Sequence, residues 1–539
     1  MVEYKRFDFA GIKRIEIPKT DIDFVDSNNA KTIIEKYLPS ILAEHSINSQ
    51  KIDYLYHYYL GRQDILKKER LHNKDKDNNS IIIENHAKRQ VDFNSGFITG
   101  EQREYSHKSD SNSDDLMYLG RYFADCDFFS KDKELKTWVF STGIGVTYTA
   151  PRIDIIIADG KDAVTGLPKV RYKTAQEGFD IKYNAPFVFN CIDPRNNFVV
   201  YSSGFDKEPL FCVSIVDVEI EQNSDLMPIL GKQIHIETKY ASFVAKSDSK
   251  FSKFYSFGLY GEKLKLIVEK NLNYLPIIEY SVNSARMGIV ETNRDIFNEI
   301  NLLKSNVSDM ITEKANPIFV FKNTDIEAKD LPEMFRAGAL RIKDSATTKA
   351  NSSADVYTIA TDIPFSELSA YYEQLITASY DISGTPLASG QVTSGGDTGQ
   401  ARLLGGGWNN TYIISNSNIA SLKAYDYQEL KLILQICKSI PNCPINELHA
   451  SQVDIKYRIN QSDNILAKAQ AMMNLYSMNM PKEEILKIVP VASDITTVSD
   501  KWETKDELAN RIAKVQETTT KNAVVEMPSL ELTDNGSQE

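Results

Sequence analysis

The sequence predicts an α+β protein of several modules, and three observations lead there. Apolar residues recur at helical spacing from Ala30 to about Tyr122 and again from Ile289 onward. Between Thr137 and Tyr280 the pattern changes to short apolar or alternating runs separated by turn dipeptides. The chain has 539 residues, more than one core serves, because single cores stop growing near ~250–300 residues.

The elements follow in order. Residues 1–28 read as an irregular arm. Ile33, Ile34, Tyr37, Leu38, Ile41 and Leu42 mark a first helix, which Pro39 is expected to kink or split. Ile52, Leu55, Tyr56 and Tyr59 mark a second, with Gly61 as its stop. A polar loop from Lys67 to Ser80 leads to a third helix, Asn85 to Ile98, ended by Gly100. Helical pattern returns at Leu116, Met117, Leu119 and Tyr122. The β-rich region holds Val146–Tyr148, Ile153–Ile157, Phe187–Ile192, Phe198–Tyr201, Phe211–Ile220 and Leu264–Val268, divided by turn signals such as Asp159-Gly160 and Asp193-Pro194.

A long helix spans 289–315, with Ile289, Phe297, Ile300, Leu303, Val307, Met310 and Ile311 at heptad-like positions, and Pro317 ends it. A compact strand–helix–strand–strand unit follows at Ile318–Phe321, Leu331–Arg336, Leu340–Ile342 and Val356–Ile359. Pro364 opens another helix through Tyr380. Between Gly384 and Gly407 lie eight glycines. A long helix then runs to about Lys438, a strand is expected at Val453–Ile459, and a helix carries Ile465, Leu466, Ala469, Met472, Met473 and Tyr476. Pro481 and Glu483/Glu484 resemble the first turn of a further helix. The Thr/Ser/Glu-rich end reads as disordered.

Composition excludes several classes. The net charge is −12. Tight wrapping of nucleic acid needs a basic face that neutralises phosphates, so it is not expected, whereas an acidic chain can still let DNA slide past. Five scattered cysteines without a CxxC pair suit a reducing compartment and free thiols. Cys437, Cys443 and His449 match no zinc spacing, so no metal is expected. The N-terminus lacks the apolar stretch of a signal peptide, and no run approaches the ~18 apolar residues of a membrane span.

No motif nominates catalysis. The glycine-rich segment continues from Gly395 into Gly396 and Asp397 rather than Lys-Ser/Thr, so a phosphate loop fails and a flexible loop is the reading. Asp110, Asn112 and Asp114 begin like a calcium loop, but Asp115 stands at the glycine position and Arg121 at the glutamate position. A polar loop capping the next helix is expected there. Gly143 and Gly145 lack the rest of a dinucleotide fingerprint. The seven histidines are scattered, no HExxH or GxSxG occurs, and His57 reads as a satisfied, partly buried residue. No cofactor is expected.

The order of local segments resembles the portal, or head-to-tail connector, family of tailed double-stranded-DNA bacteriophages of siphophage type, from about residue 30 to 512. Tyr58, Tyr59, Gly61, Ile65 and Leu66 are similar to an early family segment, and Asn85, Lys88, Val91, Asp92, Gly96 and Gly100 to the helix after it. Phe187 to Tyr201 with Asp193-Pro194 resembles a family strand pair, and Leu275 to Tyr280 the strand before a stem helix. Ser394 to Ala401 resembles the glycine-rich tunnel segment, with Thr398 in the usual Ser place, and Val453 to Asn460 the last block.

The resemblance implies a portal fold forming a ring, a dodecamer in most members, at one capsid vertex of the virion, assembled in the host cytoplasm without a membrane. It implies an arm at 1–28, a wing at 29–283, stem helices at 284–315 and 364–384, and a clip at 316–363. A tunnel loop at 385–407, wing return and crown helices at 408–515 and a tail at 516–539 complete it. The implied partners are double-stranded DNA in the channel, the terminase motor, capsid and scaffold proteins and a tail adaptor. The role is genome packaging, retention and ejection and tail attachment, without catalysis. The alternatives are another phage head structural or adaptor protein, or a packaging enzyme.

From Pro364 to Gly407 the net charge is −3. Copied around a channel, such carboxylates would repel phosphates at short range. The expected DNA-channel residues are therefore Glu367, Glu373, Asp381, Gly390, Gly395, Gly396, Asp397, Thr398, Gly399 and Arg402. The glycines would let the loops adapt to a helical substrate.

Overall fold

The computed structural model describes residues 10–18, 26–67, 80–108, 114–161, 168–221, 229–246, 264–269, 274–315, 318–322, 355–359, 363–387, 407–459, 465–478, 480–482 and 485. The chain divides into two units. One comprises 1–103 and 113–460, the other 104–112 and 461–539.

The larger unit opens with strand β1 (Ile15–Ile17), so the arm expected at 1–28 is not irregular throughout. Ile15 and Ile17 are buried, and backbone bonds to a distant strand override the weak local signal of three residues. Helix α1 (Ser27–Tyr59) is continuous through Pro39, against the expectation of two helices. Proline removes one backbone bond. Against that loss, Ile34, Leu38, Ile41 and Leu42 are all buried, each worth roughly 1.5–3 kcal/mol. Gly61 stops α1 as expected: with φ +96° it lets Gly61 N donate to Tyr58 O and Arg62 N to His57 O, closing the last turn.

Helix α2 (His86–Thr99) is capped by Asn85, whose side chain accepts from Lys88 N at 3.1 Å. In the smaller unit, β2 (Glu104–His107) follows. Helix α3 (Asp115–Asp125) begins after Asp114, whose side chain makes no capping bond, so the expected side-chain cap is absent. Helix α4 (Phe128–Thr142) corrects the reading of β structure from Thr137. It was missed because its second half, Leu135 to Thr142, is buried almost all round, which blurs the period. Leu135, Lys136, Val139, Phe140 and Thr142 are all inaccessible. Gly143 ends it with φ +93°, and a Cβ there would lie 2.1 Å from Arg286 O, so only glycine fits.

Strands β3 (Gly145–Pro151), β4 (Ile156–Lys161), β5 (Pro168–Tyr172), β6 (Phe187–Ile192), β7 (Asn197–Ser202), β8 (Pro209–Glu221), β9 (Ile229–Thr238), β10 (Ala241–Lys246), β11 (Lys265–Glu269) and β12 (Ile277–Tyr280) build the β region. The strand expected at Ile153–Ile157 starts only at Ile156, and Ile153 is 83% exposed. A six-stranded sheet runs β1-β7-β8-β9-β10-β11, with β1 parallel to β7 and the other pairs antiparallel. The first half of α1 covers one face of it through Ala30, Ile34, Leu38 and Ile41. A three-stranded sheet, β12-β3-β6, lies against α4 and a later helix, Trp408–Lys438.

Helix α5 (Ile289–Ala315) matches the expected 289–315. Beyond it, β13 (Ile318–Lys322) pairs antiparallel with β14 (Asp355–Ile359), matching two strands of the expected insertion. The segments expected at Leu331–Arg336 and Leu340–Ile342 lie outside the described residues. Helix α6 (Phe365–Ser383) ends at Gly384 with φ +63°, and α7 (Trp408–Lys438) follows. Strand β15 (Val453–Lys456) is shorter than the expected Val453–Ile459. The smaller unit adds α8 (Ile465–Ser477) and the turn in which Ile485 N donates to Pro481 O at 3.1 Å.

A second core joins the helices: Tyr54, Leu55, Tyr58, Ala87, Val91, Phe140, Val290 and Phe297 bring α1, α2, α4 and α5 together. Buried ions are paired, as burial demands. Arg103 meets Asp132 at 2.8 Å and Asp426, which also accepts from Tyr457 at 2.5 Å, while Lys136 lies 3.2 Å from Asp132. Lys51 pairs with Glu291 at 2.8 Å and Arg286 with Glu279 at 2.7 Å.

Candidate functional site

Helices α5 and α6 pack side by side. They are positioned from behind by an extended strap, Ser80–Glu84. Ser80 N donates to Asp309 Oδ1 at 2.8 Å, Ile82 N to Ser305 Oγ at 2.9 Å and Glu84 N to Asn301 Oδ1 at 2.9 Å. The match is geometric. Four helical residues rise about 6 Å, and two extended residues advance about 6.6 Å, so every second amide meets every fourth side chain. Asn301 also donates to Gln63, which in turn donates to Asn85 at 3.0 Å.

Glu84 joins both helices. Its carboxylate accepts from Tyr372 OH at 2.6 Å and His86 Nε2 at 3.0 Å, and lies 3.2 Å from Lys304 Nζ. Burial opposes its ionisation, but bonds from Tyr372, His86 and Lys304 outweigh that and hold its carboxyl below the ordinary value. Lys304 also stands 4.0 Å from the centre of the Tyr372 ring. The end of α6 is held by uncharged groups. Gln90 Nε2 donates to Ser379 Oγ at 2.5 Å, Asn293 Nδ2 to Gln90 Oε1 at 3.1 Å, Asn94 Nδ2 to Thr385 Oγ1 at 3.0 Å and Ser383 Oγ to Thr385 Oγ1 at 2.8 Å. Such a network, closed from three sides, sets one register.

The other side of α6 is open. Glu367, Glu373 and Asp381 are exposed and lie within an arc of about 120° at 100° per residue. Ser366 Oγ donates to Glu367 at 2.8 Å and holds its carboxyl below the ordinary value. The helix carries no Lys or Arg. Of the expected channel residues the structure therefore brings together Glu367, Glu373 and Asp381 on one helix. Gly390, Gly395, Gly396, Asp397, Thr398, Gly399 and Arg402 lie outside the described residues. Sequence reasoning missed Glu84, Gln90, Asn94 and Asn293. The only local signal was a run of polar residues on a helix face that the fold buries.

Other motifs resolve simply. His57 Nδ1 bonds Asp53 O at 2.9 Å, the satisfied state expected of it. All five cysteines are free thiols, and Cys443 lies 3.7 Å from Tyr122 OH. A bond with Cys437 lowers the Cys443 thiol to about 7. Among the described residues no group of three His, Cys, Asp or Glu is placed to hold a metal. No described helix is long and apolar enough to cross a membrane.

Compared with known families, residues 39–511 match the phage portal protein family, SPP1 Gp6-like. The chain belongs to this family. It is a phage portal protein of the SPP1 type, and the resemblance seen in the sequence is the correct one. No curated protein matches it. The portal family is structural, and it implies a ring oligomer at a capsid vertex that meets capsid, terminase, tail and DNA.

Proposed function

We propose that this portal subunit presents α6 to a DNA channel and uses it as a non-adhesive wall. The observation that carries the reading is the open face of α6, which bears Glu367, Glu373 and Asp381 and no cation. Phosphates approaching within a Debye length of about 8 Å meet like charge, so DNA is kept moving rather than bound. Helix α5, the strap and α2 brace α6 from behind, as a wall under lateral load requires.

In this reading 29–283 is the wing, 284–315 and 364–384 are the stem, 316–363 is the clip and 385–407 is the tunnel loop. Residues 408–515 return to the wing and crown, and 516–539 form the tail. Gly390, Gly395, Gly396 and Gly399 give the loop freedom to follow a helical substrate, beside Asp397, Thr398 and Arg402. The ring, a dodecamer, would be the passage through which a terminase packs the DNA and through which it later leaves, with no catalysis of its own. Scaffold and tail adaptor are the further partners, and assembly takes place in the host cytoplasm.

The test reverses the charge. Particles carrying Glu367→Lys and Glu373→Lys should package less DNA per head, measured by nuclease-protected DNA, with rings intact by electron microscopy. Packaging equal to wild type would reduce these carboxylates to a solvated helix face.

A further inference from the structure

Residues 10–17, near the start of the chain, are held by groups from several distant elements. Gly11 N donates to Glu291 Oε1 in the first turn of α5 at 2.9 Å. Lys51 of α1 pairs with the same oxygen at 2.8 Å and donates back to Gly11 O at 2.8 Å. Ile12 N donates to Arg286 O at 3.1 Å, and Asn48 of α1 donates to Lys13 O at 2.8 Å. Ile15, Glu16 and Ile17 then pair with Val200, Tyr201 and Ser202 of β7 as a parallel edge strand. Only glycine fits at position 11, because its φ is +83° and a Cβ there would lie 1.7 Å from Ala285 O.

The segment docks on a turn under strain. Residues 283–288 lead from β12 into α5, and Arg286 among them holds φ +57°, a left-handed conformation that is costly for a side chain of its size. Two bonds keep it there: its guanidinium meets Glu279 at 2.7 Å, and its carbonyl accepts from Ile12 N. Ile12 and Ile15 also line a small cavity with His45, Phe198, Glu279 and Arg286. What holds the segment is modest. Three isoleucines are buried, a few hydrogen bonds form, and the edge pairing is short and parallel, the weaker kind per residue. That gain is of the same order as the entropy lost on ordering the segment, so docking is close to balanced.

We propose that residues 10–17 are a detachable clamp. Docked, they pin the 283–288 turn and the first turn of α5 to the six-stranded sheet. Released, they free that turn and open the cavity beside His45. The clamp needs neither a second copy nor DNA, since every contact lies within one chain, and its failure would leave the channel role of α6 untouched.

The test compares the full-length wild type with full-length Gly11→Val, whose side chain has no room against Ala285, by hydrogen–deuterium exchange and mass spectrometry. In wild type the amides of 12–17 should exchange about tenfold or more faster than those of β8 and β9, because the clamp opens while the sheet stays closed. In the folded variant exchange should rise about tenfold or more in 12–17 and in 283–291, with β8 and β9 as slow as before. Diethylpyrocarbonate should also modify His45 about tenfold faster in the variant. Exchange in 283–291 and modification of His45 at wild-type rates would overturn the proposal. A rise that spreads through β8 and β9 would overturn it too, by making residues 10–17 an ordinary part of the core. If Gly11→Val misfolds, the wild type decides alone, and amides of 12–17 as slow as those of β8 and β9 would refute a clamp that opens.

Discussion

Glu84 ties the strap to both α5 and α6, so Glu84→Ala should loosen α6 selectively. The substitution removes the acceptor of Tyr372 OH and of His86 Nε2 and the partner of Lys304. Net hydrogen bonds contribute about 1 kcal/mol each, somewhat more to a charged group. The Glu84–Lys304 pair is roughly a third exposed, so its share is held to a few tenths. The expected cost is about 2–3 kcal/mol, confined to the α6 contact. At 1.4 kcal/mol per factor of ten, amides of α6 between Tyr372 and Tyr380 should exchange with deuterium about 30- to 150-fold faster. Peptide-level exchange read by mass spectrometry separates this from global loosening. Unchanged exchange in α6, or an equal rise in the six-stranded sheet, would refute the idea that Glu84 holds this helix.

Two further outcomes follow from buried charge. His45 Nε2 donates to Arg195 O at 2.8 Å and its ring stacks on Phe198, and burial lowers its pKa to about 4, with nearby Glu279 and Arg286 acting in opposite senses. Below about pH 6.5 the unfolded chain takes up a proton that native His45 refuses until about pH 4, so stability falls across that window by up to about 3 kcal/mol. His45→Gln should flatten the decline of the thermal midpoint between pH 6.5 and 4, and an unaltered slope would mean that other groups set it. Arg103→Met would leave Lys136 as the remaining cation of the cluster beside Asp132 and Asp426, at a cost of about 3–5 kcal/mol in thermal or urea unfolding. Adding Asp426→Asn should recover part of that loss, and a cost below about 1 kcal/mol for Arg103→Met would contradict a tightly paired cluster.

Helices α2, α5 and α6 were legible because one face of each is apolar and the period of 3.6 survives over 14 to 27 residues. Gly61 marked the end of α1, because a glycine stop acts within the last turn of a helix. Helix α4 was not legible, since its second half, Leu135 to Thr142, is buried almost all round and shows no polar face. The carboxylates of α6 could be named because exposed charge is visible in composition. The strap could not, because three backbone amides in a row of mixed residues announce nothing about side chains 217 to 229 positions away.

By itself the sequence determined the α+β class, the long helices α5 and α6, the acidic character of α6 and the portal family, because each is written in local spacing or in the order of short segments. Only the tertiary structure decided that Pro39 stays inside one helix, that Arg103, Lys136, Asp132 and Asp426 share a buried cluster, and that Glu84 fastens α6. Those outcomes depend on which distant groups are brought together and desolvated, and pairing energies at long separation leave no period for a sequence to display.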